Sequence, residues 1–527
     1  MGSLRLSRVN RWAPFAAVFA VALSVRLATV VHAGGLDTVF GYDQGVYYAA
    51  SASLSFGHVP YSEFRMVHPP GVMLALLPFV ELARWIGDVA AMGAARVAWT
   101  FLGATNALLV ALVARRFGRP AAILSGLWYA LWPALLLAES TTRLEPLVSV
   151  CLLTGWALLT SPTVADRRSL QLLGGFALGL APAVKIWAIA PVIVTLVWLA
   201  WELRGRAAVR VAVSAVAGTT AICLPFFVLA PGAMWSAIVT DQLGRPRLRS
   251  SIVLRWLDLT GLELYVSGDA VRIVASMAVA VLAAAILALA WRRAAARMFV
   301  VLSLVQLGVL FASPSYFSFY AGFVLPAFSI SLGAAAAVTV DGIAFLARRR
   351  VAFRRVAHWL PVAVATTIGL GGLAVWGAEL AGQASRYYTV RPFPAAQVKP
   401  FVTRVRCVTS DSPIALIALD VLTRNLERGC AQGVDVSGLG DDTEPPQVPW
   451  AGEPGELGER QRQHSVLTYL GTGNVAIMMR RHFDGFDEQG WATIDTWPEL
   501  TRIGKMTVRQ APGWPVTPET RSTADVD

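Results

Sequence analysis

The chain has 527 residues, 56% of them hydrophobic and 15% charged, with a mean hydropathy of +0.56. Soluble domains carry about 25% charged residues, so a soluble globular protein is excluded first. The net charge of +12 does not point to nucleic acid, because arginine in cytoplasmic turns accounts for it through the positive-inside rule.

The chain opens with Arg5, Arg8 and Arg11 ahead of a long apolar run. No A-x-A site followed by a polar mature region appears, so the run is expected to be a retained anchor. Residues 40–71, FGYDQGVYYAASASLSFGHVPYSEFRMVHPPG, then form a polar loop carrying Asp43, Glu63, Arg65 and His68. A plain connector has no need of so many ionisable and aromatic groups, and the loop reads as the floor of an active site at a membrane surface. Pro69 and Pro70 cannot sit inside a helix, so a helix is expected to start just after them. Segment 72–87 is apolar but short and holds Pro78, Glu81 and Arg84, and it is expected to lie at the interface.

A crossing needs about 20 apolar residues. Eleven stretches qualify: 12–33, 91–114, 120–138, 144–160, 169–184, 186–202, 208–230, 270–291, 298–313, 319–340 and 357–377. With the N-terminus inside, the basic turns at 115–119, 166–168, 202–206, 291–297 and 347–355 all face the cytoplasm, as the positive-inside rule demands. Eleven spans, N-in and C-out, place the tail outside. The loop at 231–269 breaks the pattern, since it should be outside yet holds Arg245, Arg247, Arg249 and Arg255. Guanidinium binds phosphate in a bidentate fork, so a phosphate is the compensation expected for the cluster. An ordinary basic loop is the alternative for any single arginine.

The tail is polar and reads as a small mixed α/β domain. IALIALDVL (414–422) suits a helix or buried strand, and NVAIMMRRHF (474–483) a strand or short helix. Residues 437–463 suit a long loop, and 515–527 a disordered end. Cys151 and Cys223 fall in apolar spans and are expected as small core residues. Cys407 and Cys430 lie in the tail, where an extracytoplasmic position makes a disulfide plausible. The domain boundary is expected at 378/379, with 34–90 as the catalytic first outer loop.

Ionisable groups at span edges are costly and point to function. Asp43 sits among Tyr42, Tyr47 and Tyr48, whereas Glu139, Arg143 and Glu145 gather ahead of the fourth span. A structural Arg143–Glu145 ion pair is the plain reading of the latter. Lys185 is one of three lysines and stands on the outer side in LAPAVKIWAIAP. A point cation there suits a phosphate oxygen, and snorkelling to headgroups is the alternative. His68 is a candidate substrate contact, and no His/Cys spacing makes a zinc site. Tyr316 and Tyr320 open the tenth span and could line a lipid or sugar site, although interfacial aromatic belts are common.

Together these motifs resemble the GT-C superfamily of membrane glycosyltransferases. The parallels are with its family 39-like branch (protein O-mannosyltransferases and aminoarabinose transferases) and the related actinobacterial enzymes using polyprenyl-phosphate sugars. YDQGVYYAAS matches the acidic first-loop motif, with Asp43 in the catalytic place. Gln44 stands where many members carry a second acid, so no metal ligand is assigned and a divalent cation is left open. His68-Pro69-Pro70-Gly71 is similar to the first half of an HPPLGK-type motif, without its Leu and Lys. TRLEP resembles the second-loop motif, with Arg143 and Glu145 on matching positions; GLAPAVK resembles GL-x-x-x-x-K, ending on Lys185; SYFSFYAGFVLP resembles the late aromatic motif.

The resemblance covers residues 1 to about 340. It implies a helical GT-C-like membrane domain and transfer of a mannose- or arabinose-type sugar, with inversion. The donor is a polyprenyl phosphate, and the acceptor is a cell-envelope glycan, lipid or protein on the extracytoplasmic face of the plasma membrane. Cations at the outer boundary (Lys185, Arg245, Arg247) would hold the phosphate. No G-x-G-x-x-G opens a βαβ unit, which fits a lipid donor. A transporter or lipid flippase is the rival reading, and a scaffold with a partner-binding tail a third.

Overall fold

A computed structural model describes residues 2–32, 34–38, 41–203, 205–243, 251–348, 393–436, 465–479 and 488–513. The first part is helical: α1 (Gly2–His32), α2 (Tyr42–Ser55), α3 (Gly71–Ile86), α4 (Asp88–Ala114), α5 (Arg119–Leu131), α6 (Pro133–Glu139), α7 (Glu145–Leu159) and α8 (Arg168–Leu180). There follow α9 (Ile189–Leu203), α10 (Gly205–Leu229), the short α11 (Pro231–Trp235) and α12 (Asp241–Leu243), α13 (Ile252–Thr260), α14 (Asp269–Trp291), α15 (Arg297–Ala312) and α16 (Ala321–Arg348).

Among the described residues, seven helices are long and apolar enough to cross a membrane. They coincide with seven of the eleven expected spans. The expected span 120–138 is instead two helices, because Trp132 leaves the helical region (ψ 118°) ahead of Pro133. A residue before proline is pushed toward extended backbone, which makes the break. Span 144–160 is a 15-residue helix, and span 169–184 ends at Leu180, two residues short of Pro182. The eleventh span, the 378/379 boundary, Arg245, Arg247, Arg249 and the loop 437–463 lie outside the described residues.

The stretch expected as a polar loop is half helix. Its Ala/Ser run, Ala49 to Ser53, is buried in α2, and small side chains let that helix sit tightly between α3 and the tail. The helix start after Pro69-Pro70 is where the sequence puts it, at Gly71. α3 buries Val72, Met73, Leu76 and Val80 and exposes Trp85 and Ile86. Helices α8 and α10 approach to backbone contact. A Cβ on Gly179 would stand 1.8 Å from Ala215 O, and one on Gly175 2.4 Å from Val211 O. Small residues of this kind are what bring membrane helices into backbone contact.

Buried charge ties α1, α4, α5 and α6 together. Arg26 donates through Nε to Glu139 Oε2 at 2.8 Å and through Nη1 to the carbonyls of Ala22 and Ala130. Glu139 Oε1 accepts from Tyr129 Oη (2.7 Å) and Asn106 Nδ2 (3.2 Å). At the far end of α4, about 40 Å from Asp88 at 1.5 Å per residue, Arg116 donates to Thr160 O. The basic turn at 115–119 thus stands beside the turn after α7, opposite to Asp43.

The C-terminal unit is the mixed α/β fold expected. Its strands β1 (Val408–Ser410), β2 (Val475–Met478), β3 (Glu499–Ile503) and β4 (Met506–Gln510) form one sheet in the order β1-β2-β4-β3. β1 and β2 are parallel, with Val408 opposite Val475, and the other pairs are antiparallel. IALIALDVL begins as the helix Pro413–Ala418, and a second helix follows at Leu422–Glu427. Cys407 and Cys430 are disulfide-bonded, and Cys151 and Cys223 are free and half-buried. The unit docks on the Asp43 end of the bundle. Thr423 donates through its backbone N–H and its hydroxyl to the Asp88 carboxylate (3.1 and 2.6 Å), and Val89 N–H donates to Asp420. Ile414 packs so closely on Gly45 of α2 that a Cβ there would be 2.6 Å from it.

Candidate active site

Four connections between helices meet under the C-terminal unit and line a cavity of about 160 Å³. Its walls include Asp43, His68, Glu145, Lys185 and Tyr320, which are five of the expected site residues. Drug-sized pockets run to ~300–1,000 Å³, so this one suits a single sugar ring or a phosphate group.

Asp43 lies in the first turn of α2 and is ion-paired with Arg143 from the α6–α7 turn. Gly41, at φ 63°, makes room for that arginine: a Cβ there would be 3.1 Å from Nη2. The guanidinium lies 4.0 Å from the centre of the Phe319 ring, and Trp99 Nε1 donates to Arg143 O. A cation held by a carboxylate and an aromatic face keeps Asp43 in one place.

Glu145 is the first residue of α7, where the helix dipole favours a carboxylate. It does not pair with Arg143, as the plain reading had it. Its Oε1 accepts from Lys185 Nζ at 2.7 Å, and both side chains are buried. Burial removes the snorkelling alternative for Lys185, whose ammonium lies within the bundle. It sits where Pro182 has ended α8, on extended backbone (φ −146°, ψ 123°), 3.9 Å from the Tyr320 ring centre and 4.4 Å from that of Trp187. Glu145 Oε2 is buried with no hydrogen-bond partner among the described residues. Gly322 presses on the same side chain, since a Cβ there would be 2.8 Å from Glu145 Cβ.

His68 meets the edge of Tyr47, with ring centres 5.7 Å apart, and its carbonyl accepts from Tyr61 Oη. Three residues on, Gly71 N–H donates to Ala183 O at 2.8 Å, and a Cβ on Gly71 would be 2.6 Å from that oxygen. The HPPG turn is thereby fastened to the stretch that carries Lys185. Burial first, and then the Asp43 carboxylate, push the Tyr47 phenol well above its usual range, so it stays a hydrogen-bond donor.

Tyr316 stands behind Tyr320, with ring centres 6.2 Å apart. Burial, then Asp258, raise its phenol, and its hydroxyl has no hydrogen-bond partner among the described residues. The expectation that Arg255 serves a phosphate is corrected here. Its Nη1 donates to the carbonyls of Leu310, Phe311 and Ser313 (3.0, 3.0 and 2.8 Å), so it caps the end of α15. Arg65 likewise pairs with Asp241, and Glu63 with His58.

Two features of the wall go beyond the expected site residues, an acid that the sequence did not mark and the phenylalanines of the SYFSFYAGFVLP stretch. Asp435 from the C-terminal unit lines the cavity and accepts from Tyr42 Oη at 2.8 Å. Phe317 and Phe319, stacked at 5.3 Å, form the aromatic side with Tyr320. As to a divalent cation, no group of three or more His, Cys, Asp or Glu that could hold one occurs among the described residues. Gln44 is buried and accepts from Thr142 N–H, so the position beside Asp43 adds no second carboxylate.

No protein-family model matches the chain, and no curated protein does either. Among solved structures, ArnT from Cupriavidus metallidurans in the apo state superimposes with a TM-score of 0.60 at 17% identity, over 95% of this chain and 98% of ArnT. The same protein bound to undecaprenyl phosphate gives 0.60 at 18% identity, over 94% and 97%. The chain has the GT-C fold of ArnT. The match to ArnT runs across nearly the whole of both chains, so it takes in the C-terminal unit as well as the helical bundle.

Proposed function

We propose that the chain is a multi-pass plasma-membrane glycosyltransferase. It moves a mannose- or arabinose-type sugar from a polyprenyl-phosphate donor to a cell-envelope glycan, lipid or protein on the extracytoplasmic face. The observation that carries the reading is the meeting of Asp43, His68, Glu145 and Lys185 in one cavity of a GT-C fold. ArnT, which shares that fold, has been crystallised with undecaprenyl phosphate.

The chemistry follows from the residues. Lys185, desolvated and flanked by two rings, offers its ammonium to the phosphate oxygens and stabilises the charge that develops on them. Glu145 and the aromatic faces hold that ammonium in place. The acceptor oxygen forms its bond to the anomeric carbon while the carbon–oxygen bond to phosphate breaks, the electron pair leaving with phosphate. Asp43 takes the acceptor's proton, and Arg143 fixes the carboxylate for that step. Direct displacement of this kind inverts the anomeric centre. His68 and Tyr47 line the same cavity as hydrogen-bonding groups.

The outer location of the site is supported by two features: the turn carrying Arg116 stands at the opposite end of the bundle, and the unit over the cavity carries a disulfide. The test is transfer from radiolabelled polyprenyl-phosphate mannose and polyprenyl-phosphate arabinose in membranes holding wild type or Asp43→Asn. Label is expected to move with wild type from one donor and not with the variant. Absence of transfer from both donors, with native acceptors present, would overturn the reading in favour of a transporter.

A further inference from the structure

We propose that Asp435 is a specificity-determining residue: the C-terminal unit delivers its carboxylate to the cavity to accept hydrogen bonds from the hydroxyls of a sugar ring. The inference rests on the glycosyltransferase reading and deepens it.

Asp435 is held in position from several directions. Val434 and Val436 on either side of it are buried in separate hydrophobic clusters, while Asp435 itself is half-buried on the cavity wall. Gly433 lies flat on Tyr469, where a Cβ would be 2.2 Å from the ring. Five residues upstream, Cys430 is bonded to Cys407 at the head of β1. Gln432 is bridged to the bundle, its Oε1 accepting from Ser53 Oγ at 3.3 Å and its Nε2 donating to Cys430 O. The carboxylate then meets Tyr42, the neighbour of Asp43 on α2, whose hydroxyl donates to Oδ1 at 2.8 Å.

A tail that served only to cover the cavity could do so with apolar side chains. Here the backbone is locked on both sides so that an acid lines Asp43's cavity together with Phe317, Phe319 and Tyr320. A carboxylate and aromatic rings in one cavity are the chemistry that reads a sugar: the rings take its apolar C–H face and the carboxylate its hydroxyls. The hydroxyls could belong to the donor's sugar or to a sugar of the acceptor, and the experiment separates the two.

Full-length wild type, Asp435→Asn and Tyr42→Phe are purified. Binding of bare undecaprenyl phosphate and of the donor that supports transfer is measured, together with the KM for acceptor. Asp435→Asn is expected to weaken sugar-bearing donor about tenfold or more while bare undecaprenyl phosphate binds as in wild type, with Tyr42→Phe giving a smaller shift of the same kind. Unchanged donor binding with a raised acceptor KM supports the proposal and assigns the hydroxyls to the acceptor. Equal weakening of bare undecaprenyl phosphate, or no change in any of the three, overturns it. A wild type that neither binds undecaprenyl phosphate nor transfers sugar overturns the glycosyltransferase reading itself, whatever the variants do.

Discussion

Among the described residues two ion pairs are fully buried in the bundle, and they are finished differently. Around Glu139 both carboxylate oxygens are occupied, by Arg26 on one and by Tyr129 and Asn106 on the other. Around Glu145 one oxygen holds Lys185 and the other has no hydrogen-bond partner among the described residues, beside a cavity. A buried charge costs free energy unless it is paired and hydrogen-bonded, so a carboxylate bonded through both oxygens is what a structural role requires. Glu145 keeps one oxygen's bonding capacity in reserve. The occupancy of the second carboxylate oxygen is what distinguishes the two pairs.

The largest effect expected is on chemistry alone. Asp43→Asn should lower transfer by roughly 10²–10⁴-fold, with thermal unfolding in detergent close to wild type, because the Asp43–Arg143 pair is partly exposed. Near-normal transfer would remove Asp43 from catalysis. Glu139→Ala should do the reverse. It strands the Arg26 charge, which costs about 3–5 kcal/mol, so a large fall in unfolding temperature is expected with donor affinity per folded molecule intact. A stable but inactive Glu139→Ala would break the contrast between the two pairs.

Lys185→Ala should fall between these. Removing a charged hydrogen-bond donor weakens donor binding by about 1.5–3 kcal/mol, or roughly ten- to a hundredfold, and because it strands the buried Glu145 carboxylate the unfolding temperature should fall as well. The smallest effect concerns a pair of like charge. Burial, and then the adjacent Glu263 carboxylate, push the Asp258 carboxyl above the ordinary range. The folded chain therefore keeps a proton that the unfolded chain releases near pH ~4. Stability from this group is complete below that pH and is lost as pH rises through the folded-state pKa. Asp258→Asn should flatten that decline, read as unfolding temperature against pH.

Much of the site was legible because it is local. Asp43, His68, Glu145 and Lys185 stand out as ionisable groups at the edges of apolar runs, and prolines at 70 and 182 mark where helices begin and end beside them. What the sequence hid is pairing over distance. Arg143 has Glu145 two residues away and binds Asp43 instead, 100 residues off. Arg255 looks like a phosphate ligand until the carbonyls of α15 are seen around it. Asp435 gives no signal beyond an acid between two valines, and its partner Tyr42 is 393 residues earlier. The fold was legible in its long helices and less so where Pro133 splits one expected span in two.

The bond from Gly71 to Ala183 limits how the cavity can breathe. A backbone hydrogen bond with no space for a side chain leaves no slack, so the turn carrying His68 and the stretch carrying Lys185 move as one block. Any change in the shape of the cavity then falls to the rest of its wall, the rings of Phe317, Phe319 and Tyr320 and the Asp435 carboxylate from the C-terminal unit.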